Sequence, residues 1–233
     1  MQNIIKSIFK HKKFCRKNKS FSFSQCGEDR IVLFLANTIH LQNLSYIDVG
    51  AHDPVYLSNT ALLHQLGSTG VNIEPDPILF QKFVKERKTD INLNIGISNA
   101  PGELPFYIMD AKTLNTFSVA EAHRYESLGH KIEKEVIIKV ESIDNIITTF
   151  CGGFFPDFLN LDAEGVDDLV ISGINRANSM PKIICVETIE YNTTGICKKN
   201  ANIINQLESL GYFLYADTYL NSIFVDKSLF ENR

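Results

Sequence analysis

Short apolar segments alternate with amphipathic helix patterns along most of this chain, and this alternation limits the fold more than any other feature. Buried strands are predicted at 46–50, 70–74, 91–97, 158–162 and 182–187. Helices are predicted between and after them, at 57–66, 77–84, 143–150, 166–174 and 203–210. A hairpin is predicted at the end, from 212–218 and 222–225. The pattern predicts an α/β fold with a mostly parallel sheet, helices on both faces and an antiparallel C-terminal hairpin.

Polar residues and glycines stand where these strands end. In an open parallel sheet, ligands bind beyond the carboxyl ends of the strands. Gly50 permits a sharp turn after the first strand, and the absence of GxGxxG argues against a dinucleotide pyrophosphate. The alternative is a tight turn that binds no ligand.

Glu74 ends the second predicted strand, 24 residues beyond Gly50. A carboxylate at this position can accept hydrogen bonds from both hydroxyls of a ribose. The alternative is an exposed charge before a helix. Together, Gly50 and Glu74 indicate a nucleoside cofactor without a pyrophosphate, and S-adenosylmethionine meets that description.

The charge is concentrated at the N-terminus. Residues 1–24 hold seven Lys and Arg and no acidic residue, while the whole chain has a net charge of −4. We therefore separate a basic leader, 1–23, from a single domain, 24–233. The leader is either a solvated segment or a peripheral contact with an anionic membrane. The acidic remainder argues against a nucleic-acid partner.

Composition excludes several classes of protein. With 44% hydrophobic residues and 16 Phe among 233 residues, the chain is not a disordered one. No segment approaches the ~20 apolar residues that span a bilayer. The five cysteines form no CxxC pair, which argues against a zinc site or a disulfide framework and favours a reducing cytoplasm.

Several motifs resemble those of the FkbM-type S-adenosylmethionine-dependent methyltransferases. They are SQCGED at 24–29, YIDVGAHDP at 46–54 with SNT at 58–60, NIEPDP at 72–77, LDAEG at 161–165 and IICVE at 183–187. The resemblance runs from about Ser24 to Lys227. It departs at His52-Asp53-Pro54, where many relatives carry Asn and a further Gly.

The resemblance implies a class I methyltransferase (Rossmann-like) fold with S-adenosyl-L-methionine as cofactor. It also implies which residues bind that cofactor. The methionine end would contact the first-motif loop, with Asp48, Gly50, Ala51 and His52. The ribose would contact the second motif, with Glu74 and Pro75. The adenine would lie near Gly96 in the third strand, and Gln25 would close over the cofactor from the N-terminal side.

The acceptor side is predicted beyond the fourth strand. We favour Asp162 or Glu164 as the general base or as a group that positions the acceptor. The competing hypothesis is that Asp162 contacts the cofactor and Glu164 caps the next helix. Two carboxylates suit a divalent cation, but no third ligand is evident, so no metal site is predicted. The insert at about 100–140 is expected to form an acceptor lid.

Two further residues, Glu187 and His52, keep two interpretations each. Glu187 either lines the acceptor pocket or forms an ion pair at the end of its strand. His52 is either a base or, more often for a single loop histidine, a structural group. His130, like His123, lies in the polar insert and is expected in the lid.

The main hypothesis is an O-methyltransferase that acts in the cytoplasm, with its basic leader near a membrane. Its acceptor would be a hydroxyl on a sugar or glycan, or on a secondary metabolite. The alternatives are a non-catalytic S-adenosylmethionine- or nucleoside-binding module and N-methylation of a small amine. A nicotinamide oxidoreductase is disfavoured because GxGxxG and a Tyr-x-x-x-Lys pair are both missing.

Overall fold

The structure is a computed structural model that describes residues 21–163, 166–174, 178–190 and 198–233. Most of the predicted leader, 1–23, therefore lies outside the described residues, and so does Glu164. Within those ranges, no helix is both long and apolar enough to cross a bilayer.

Strands and helices alternate as the sequence predicts. The strands are β1 (Tyr46–Val49), β2 (Gly70–Ile73), β3 (Ile91–Leu93), β4 (Gly96–Ile97), β5 (Gly102–Met109), β6 (Ile132–Glu141), β7 (Phe158–Leu161), β8 (Ile183–Glu187), β9 (Ile189–Glu190), β10 (Lys198–Lys199), β11 (Tyr212–Asp217) and β12 (Asn221–Asp226). The helices are α1 (Glu28–Thr38), α2 (Ala61–Gln65), α3 (Pro77–Glu86), α4 (Val119–Ser127), α5 (Ile143–Phe150), α6 (Asp167–Ile174), α7 (Ala201–Ser209) and α8 (Lys227–Glu231).

The main sheet has seven strands in the order β3-β2-β1-β7-β8-β12-β11. Neighbouring strands are parallel except in the two pairs that include β12, which are antiparallel. The predicted Rossmann-like fold of the class I methyltransferase type, with its antiparallel C-terminal hairpin, is confirmed.

Alternate residues of the central strands supply two separate apolar cores, one on each face of the sheet. One core packs Ile47 and Leu159 against α5, α6 and α7. The other packs Tyr46 and Phe158 against α1 and α2. Burial of each large aliphatic or aromatic side chain contributes roughly 1.5–3 kcal/mol, so both faces hold the sheet in place.

The predicted third strand, 91–97, is wrong in its extent. Asn94 donates hydrogen bonds from Nδ2 to the carbonyl oxygens of Glu74 and Pro75, both at 2.8 Å. These bonds end pairing with β2 after Leu93. Gly96 then begins β4, which belongs to a second sheet of three strands, β4-β6-β5. Most of the predicted insert, 100–140, forms this second sheet together with α4.

The predicted helix at 57–66 is also shorter than expected. Leu57 has a positive φ of 58°, which a helix does not accommodate, and α2 begins only at Ala61. Its predicted end is confirmed, since the Gly67 N–H donates to the His64 carbonyl at 3.0 Å. The start of α3 is confirmed as well, with Asp76 as N-cap and Pro77 at the first position.

Candidate active site

A cavity of about 690 Å³ opens at the carboxyl edge of the parallel strands. It lies between the loops after β1, β2 and β7 and the insert. Every predicted site residue that the structure describes lines this cavity: Gln25, Asp48, Gly50, Ala51, His52, Glu74, Pro75, Gly96 and Asp162. The fold therefore brings together residues that are far apart in sequence, some predicted from the ends of strands and others, such as Gln25, implied by the family resemblance.

The backbone of Gly50 packs directly against the loop after β7. Its φ is +77°, and a Cβ added there would lie 1.9 Å from the Asp162 carbonyl oxygen. The Gly50 and Ala51 N–H groups both donate to the Ile73 carbonyl, at 3.1 and 3.0 Å. Only glycine allows the loops after β1 and β7 to approach this closely.

The Glu74 carboxyl group is fixed at the cavity wall. Its side chain accepts hydrogen bonds from the His52 N–H at Oε2 and from the Asp76 N–H at Oε1, each 2.7 Å long. Glu74 is only 5% exposed. Burial raises its pKa to about 8, against the opposing effect of the two N–H donors. Each oxygen retains a further lone pair for a ligand.

Both carboxylate oxygens of Asp48 accept hydrogen bonds from protein groups, and its predicted contact with the cofactor stays a prediction. Thr60 donates from its hydroxyl at 2.7 Å, and Asn160 donates from Nδ2 at 2.8 Å. The carboxyl is fully buried, and this burial raises its pKa despite the two donors. Asp48 therefore supports the loop that Gly50 begins, while it also lines the cavity.

Sequence reasoning missed Asn160 as part of this support. Asn160 pairs in register with Asp48 on one side and with Cys185 on the other. Its Oδ1 accepts a hydrogen bond from Asn59 Nδ2 at 2.9 Å. The available signal was an asparagine inside an otherwise apolar strand, since a buried amide requires partners.

Arg87 is the second residue that the sequence interpretation missed. It is 2% exposed and donates to the Pro54 carbonyl from Nε at 3.0 Å and from Nη2 at 2.6 Å. Its Nη1 donates to the Tyr46 hydroxyl at 2.9 Å. The guanidinium thus holds the unusual His52-Asp53-Pro54 segment against the sheet. His52 itself adopts a positive φ of 56° there.

The His52 side chain has the environment of a neutral group. Burial lowers the pKa of its imidazole, and the nearby Lys82 acts in the same direction, while Asp53 opposes them. Lys82 forms an ion pair with Asp53 at 2.7 Å. A neutral imidazole could accept a proton, and the two interpretations of His52 both remain predictions.

The segment before α1 is anchored at two acidic residues and carries Gln25 to the cavity. Asp29 accepts hydrogen bonds from the Ser22 hydroxyl and the Phe23 N–H, both at 2.7 Å. Burial alone would raise the pKa of Glu28, but a hydrogen bond from Thr218 and other donors outweigh burial and lower it. The N-terminal side of the cavity is therefore tied to the C-terminal hairpin.

The insert contacts the part of the cavity near Glu74 directly. Asn115 donates from Nδ2 to Asp76 Oδ2 at 2.9 Å, next to Glu74. A Cβ added to Gly96 would lie only 2.3 Å from the ring of Phe117, so this ring packs directly against the Gly96 backbone. His130 lines the cavity, as predicted for a lid residue, whereas His123 is exposed and pairs with Glu126.

The predicted acceptor side is only partly described. Asp162 is exposed at the end of β7 and lines the cavity, and Glu187 lines it from β8. The Asp162 N–H donates to the Val49 carbonyl at 3.0 Å, which holds this loop against the one that contains Gly50. Glu164 lies outside the described residues, so its predicted role stays a prediction.

Comparison with known proteins identifies the family to which the chain belongs. Residues 48–214 match the family model of the methyltransferase FkbM domain. Among solved structures, the chain is similar to a TehB-like SAM-dependent methyltransferase from Corynebacterium glutamicum. That similarity has 12% identity and a TM-score of 0.46 over 97% of this chain and 100% of the other. No curated protein matches the chain. Since the matched segment spans most of the sequence, the chain belongs to the FkbM methyltransferase family.

Proposed function

We propose that this protein transfers a methyl group from S-adenosylmethionine to a hydroxyl of a sugar, a glycan or a secondary metabolite. The observation that supports the proposal most directly is the Glu74 carboxyl group. It is buried, held by two backbone N–H donors, and placed on the wall of a cavity beside the Gly50 turn. Two oxygens fixed side by side are suited to the two adjacent hydroxyls of a ribose.

The residues around the cavity fit such a cofactor. Glu74, followed by Pro75, would accept from the ribose hydroxyls, and the turn of Gly50, Ala51 and His52 would hold the methionine part. Gly96 would adjoin the adenine, and Gln25 would close the cavity from the N-terminal side. When bound, S-adenosylmethionine supplies an electrophilic methyl group.

The chain itself must align the acceptor hydroxyl and take up its proton. Alignment in a closed cavity lowers the barrier by up to roughly 7–11 kcal/mol in ideal cases. Asp162 lines the cavity on the acceptor side and would accept the hydroxyl proton, together with or in place of Glu164. An amine acceptor would use the same cavity, so N-methylation is tested in the same screen.

Calorimetric titration with S-adenosylmethionine and S-adenosylhomocysteine tests the cofactor proposal. A screen of nucleotide sugars, glycans and small amines for uptake of labelled methyl then tests the acceptor. We expect binding of both nucleosides and methyl transfer to a hydroxyl compound. Absence of binding would refute the cofactor proposal, while binding without transfer to any acceptor would favour a non-catalytic module.

Binding of a ribose is expected to depend on pH through Glu74. With its pKa at about 8, Glu74 is mostly protonated at pH 6.5, and two hydroxyl donors favour the ionised form. The affinity for adenosine, which does not titrate in this range, should therefore rise roughly 20- to 30-fold from pH 6.5 to pH 8.5 if only the ionised form binds. Asp76 and Asp48 both raise the Glu74 pKa and act in the same direction.

Calorimetry in two buffers of different ionisation enthalpy measures the expected proton release near pH 7. The matched ligand is 2′-deoxyadenosine, which offers one hydroxyl fewer. It should bind more weakly and with a smaller dependence on pH. An adenosine affinity that is flat or falls as pH rises would contradict the assignment of Glu74 to the ribose.

A further inference from the structure

The insert presents basic groups to the cavity. Lys112 from the short turn after β5, Arg124 from α4 and His130 from the following loop all line it. We propose that the methyl acceptor carries an anionic group, a phosphate or a carboxylate, which these three side chains bind. The proposal rests on the function proposed above and adds a substrate class to it.

The three groups are held close to one another by apolar packing. The Arg124 guanidinium carbon lies 4.6 Å from the centre of the Tyr125 ring. The His130 ring meets the same Tyr125 ring edge-on, with centroids 6.4 Å apart. Lys112 donates from Nζ to the carbonyl of Met109 at 2.9 Å, and Met109 packs in one apolar cluster with Tyr125. The three basic side chains therefore lie around one apolar cluster, the one that contains Tyr125.

Each of the three basic side chains pairs with an acidic side chain that keeps it in place. These three acidic residues do not line the cavity. The pairs are Lys112 with Glu133 at 2.5 Å, Arg124 with Glu121 at 2.6 Å and His130 with Asp110 at 3.0 Å. In the first two pairs the cation is clearly the more buried member, with 31% against 53% exposure and 29% against 40%.

Pairs of this kind, exposed on their acidic side, contribute little to stability and exchange readily. An anion that enters from the cavity side can thus share the cations without breaking the fold. Arg124 is especially suited to this, because its planar guanidinium, held over a ring, can bind phosphate or carboxylate with two parallel hydrogen bonds.

Acidic side chains line the cavity from the main sheet. Glu74, Asp162 and Glu187 line the cavity from the ends of the main strands. This side suits a cofactor with a cationic sulfonium and an ammonium group. An acceptor that reaches from the insert to Asp162 would place its anionic group at the basic wall and its hydroxyl at the acidic one.

Three hexoses that differ in charge test the proposal by calorimetry on the protein loaded with S-adenosylhomocysteine. Glucose 6-phosphate and glucuronate are expected to bind at least about tenfold more tightly than glucose, and more weakly as salt is raised. A preference between the two identifies phosphate or carboxylate as the recognised group. Repeating the titrations on the free protein keeps the anion site testable even if the nucleoside does not bind.

Variants separate this site from the cofactor site. Arg124→Gln and Lys112→Gln should each weaken binding of the charged hexoses about tenfold and leave the affinity for S-adenosylhomocysteine unchanged. Arg124→Lys should restore part of the loss. Lys134→Gln removes the same charge from an exposed position of β6 and should have no effect. Equal affinity for all three hexoses, or an equal loss of nucleoside binding in the variants, would overturn the proposal.

Discussion

At pH 8.5, where Glu74 is mostly ionised, Glu74→Gln is expected to weaken binding of S-adenosylmethionine about 100-fold, because hydrogen bonds to a charged group contribute roughly 1.5–3 kcal/mol. The substitution keeps the size of the side chain but removes its charge. It also places an NH₂ group next to one of the two backbone donors, the N–H of His52 or that of Asp76. In the wild type, each of these N–H groups donates to a carboxyl oxygen at 2.7 Å. The ribose then loses one acceptor and the loop loses one hydrogen bond.

The measurement is calorimetric titration with S-adenosylmethionine and S-adenosylhomocysteine, accompanied by a thermal melt to show that the variant is folded. Glu86→Gln makes the same chemical change at an exposed position near the end of α3 and serves as the control. A folded Glu74→Gln variant that binds both nucleosides within about threefold of the wild type would show that this carboxyl does not hold the ribose.

As pH rises through the range in which Glu74 ionises, the free energy of unfolding is expected to fall, whereas cofactor binding is expected to strengthen. A carboxyl whose pKa is raised on folding, here from 4.5 to about 8, stabilises the folded state fully only at pH below 4.5. That contribution is lost as pH rises towards 8, where the buried group ionises. Retention of a buried acid at this cost is consistent with a role in binding rather than in stability.

The parts of the site that the sequence predicted are those that follow from strand geometry. Gly50 and Glu74 end adjacent parallel strands, and such ends share one edge of the sheet. Asp162 follows from the same rule, because β7 lies on the other side of β1. These predictions needed only parallel strands and the position of a polar residue after each one.

The supporting groups could not be predicted in this way. Arg87 stands in a highly charged stretch, VKERKTD, where an arginine is ordinarily a surface residue. Its burial depends on the Pro54 carbonyl and the Tyr46 hydroxyl, which only tertiary structure brings near. The early end of the third strand depends likewise on Asn94, whose partners are the carbonyls of another segment.

Asp162→Asn is expected to lower kcat by about 10²- to 10⁴-fold on the best acceptor from the screen, the range typical for loss of a general base. The side chain is exposed at the end of β7 and lines the cavity, so an acceptor hydroxyl can reach its carboxylate. Its backbone, which positions Gly50, remains unchanged in the variant. The affinity for S-adenosylmethionine should therefore stay within a few-fold of the wild type.

The two hypotheses for Asp162 differ in which constant changes. If Asp162 is the base, its loss lowers kcat and removes the acidic limb of the pH–rate profile. If Asp162 contacts the cofactor, its loss raises the dissociation constant of S-adenosylmethionine and leaves the profile unchanged. Asp168→Asn makes the same change at an exposed position of α6 and controls for the loss of charge. If Asp162→Asn leaves kcat unchanged, Glu164 becomes the candidate base, and Glu164→Gln should then lower kcat. If neither variant slows methyl transfer, the proton leaves by another route and the base assignment is wrong.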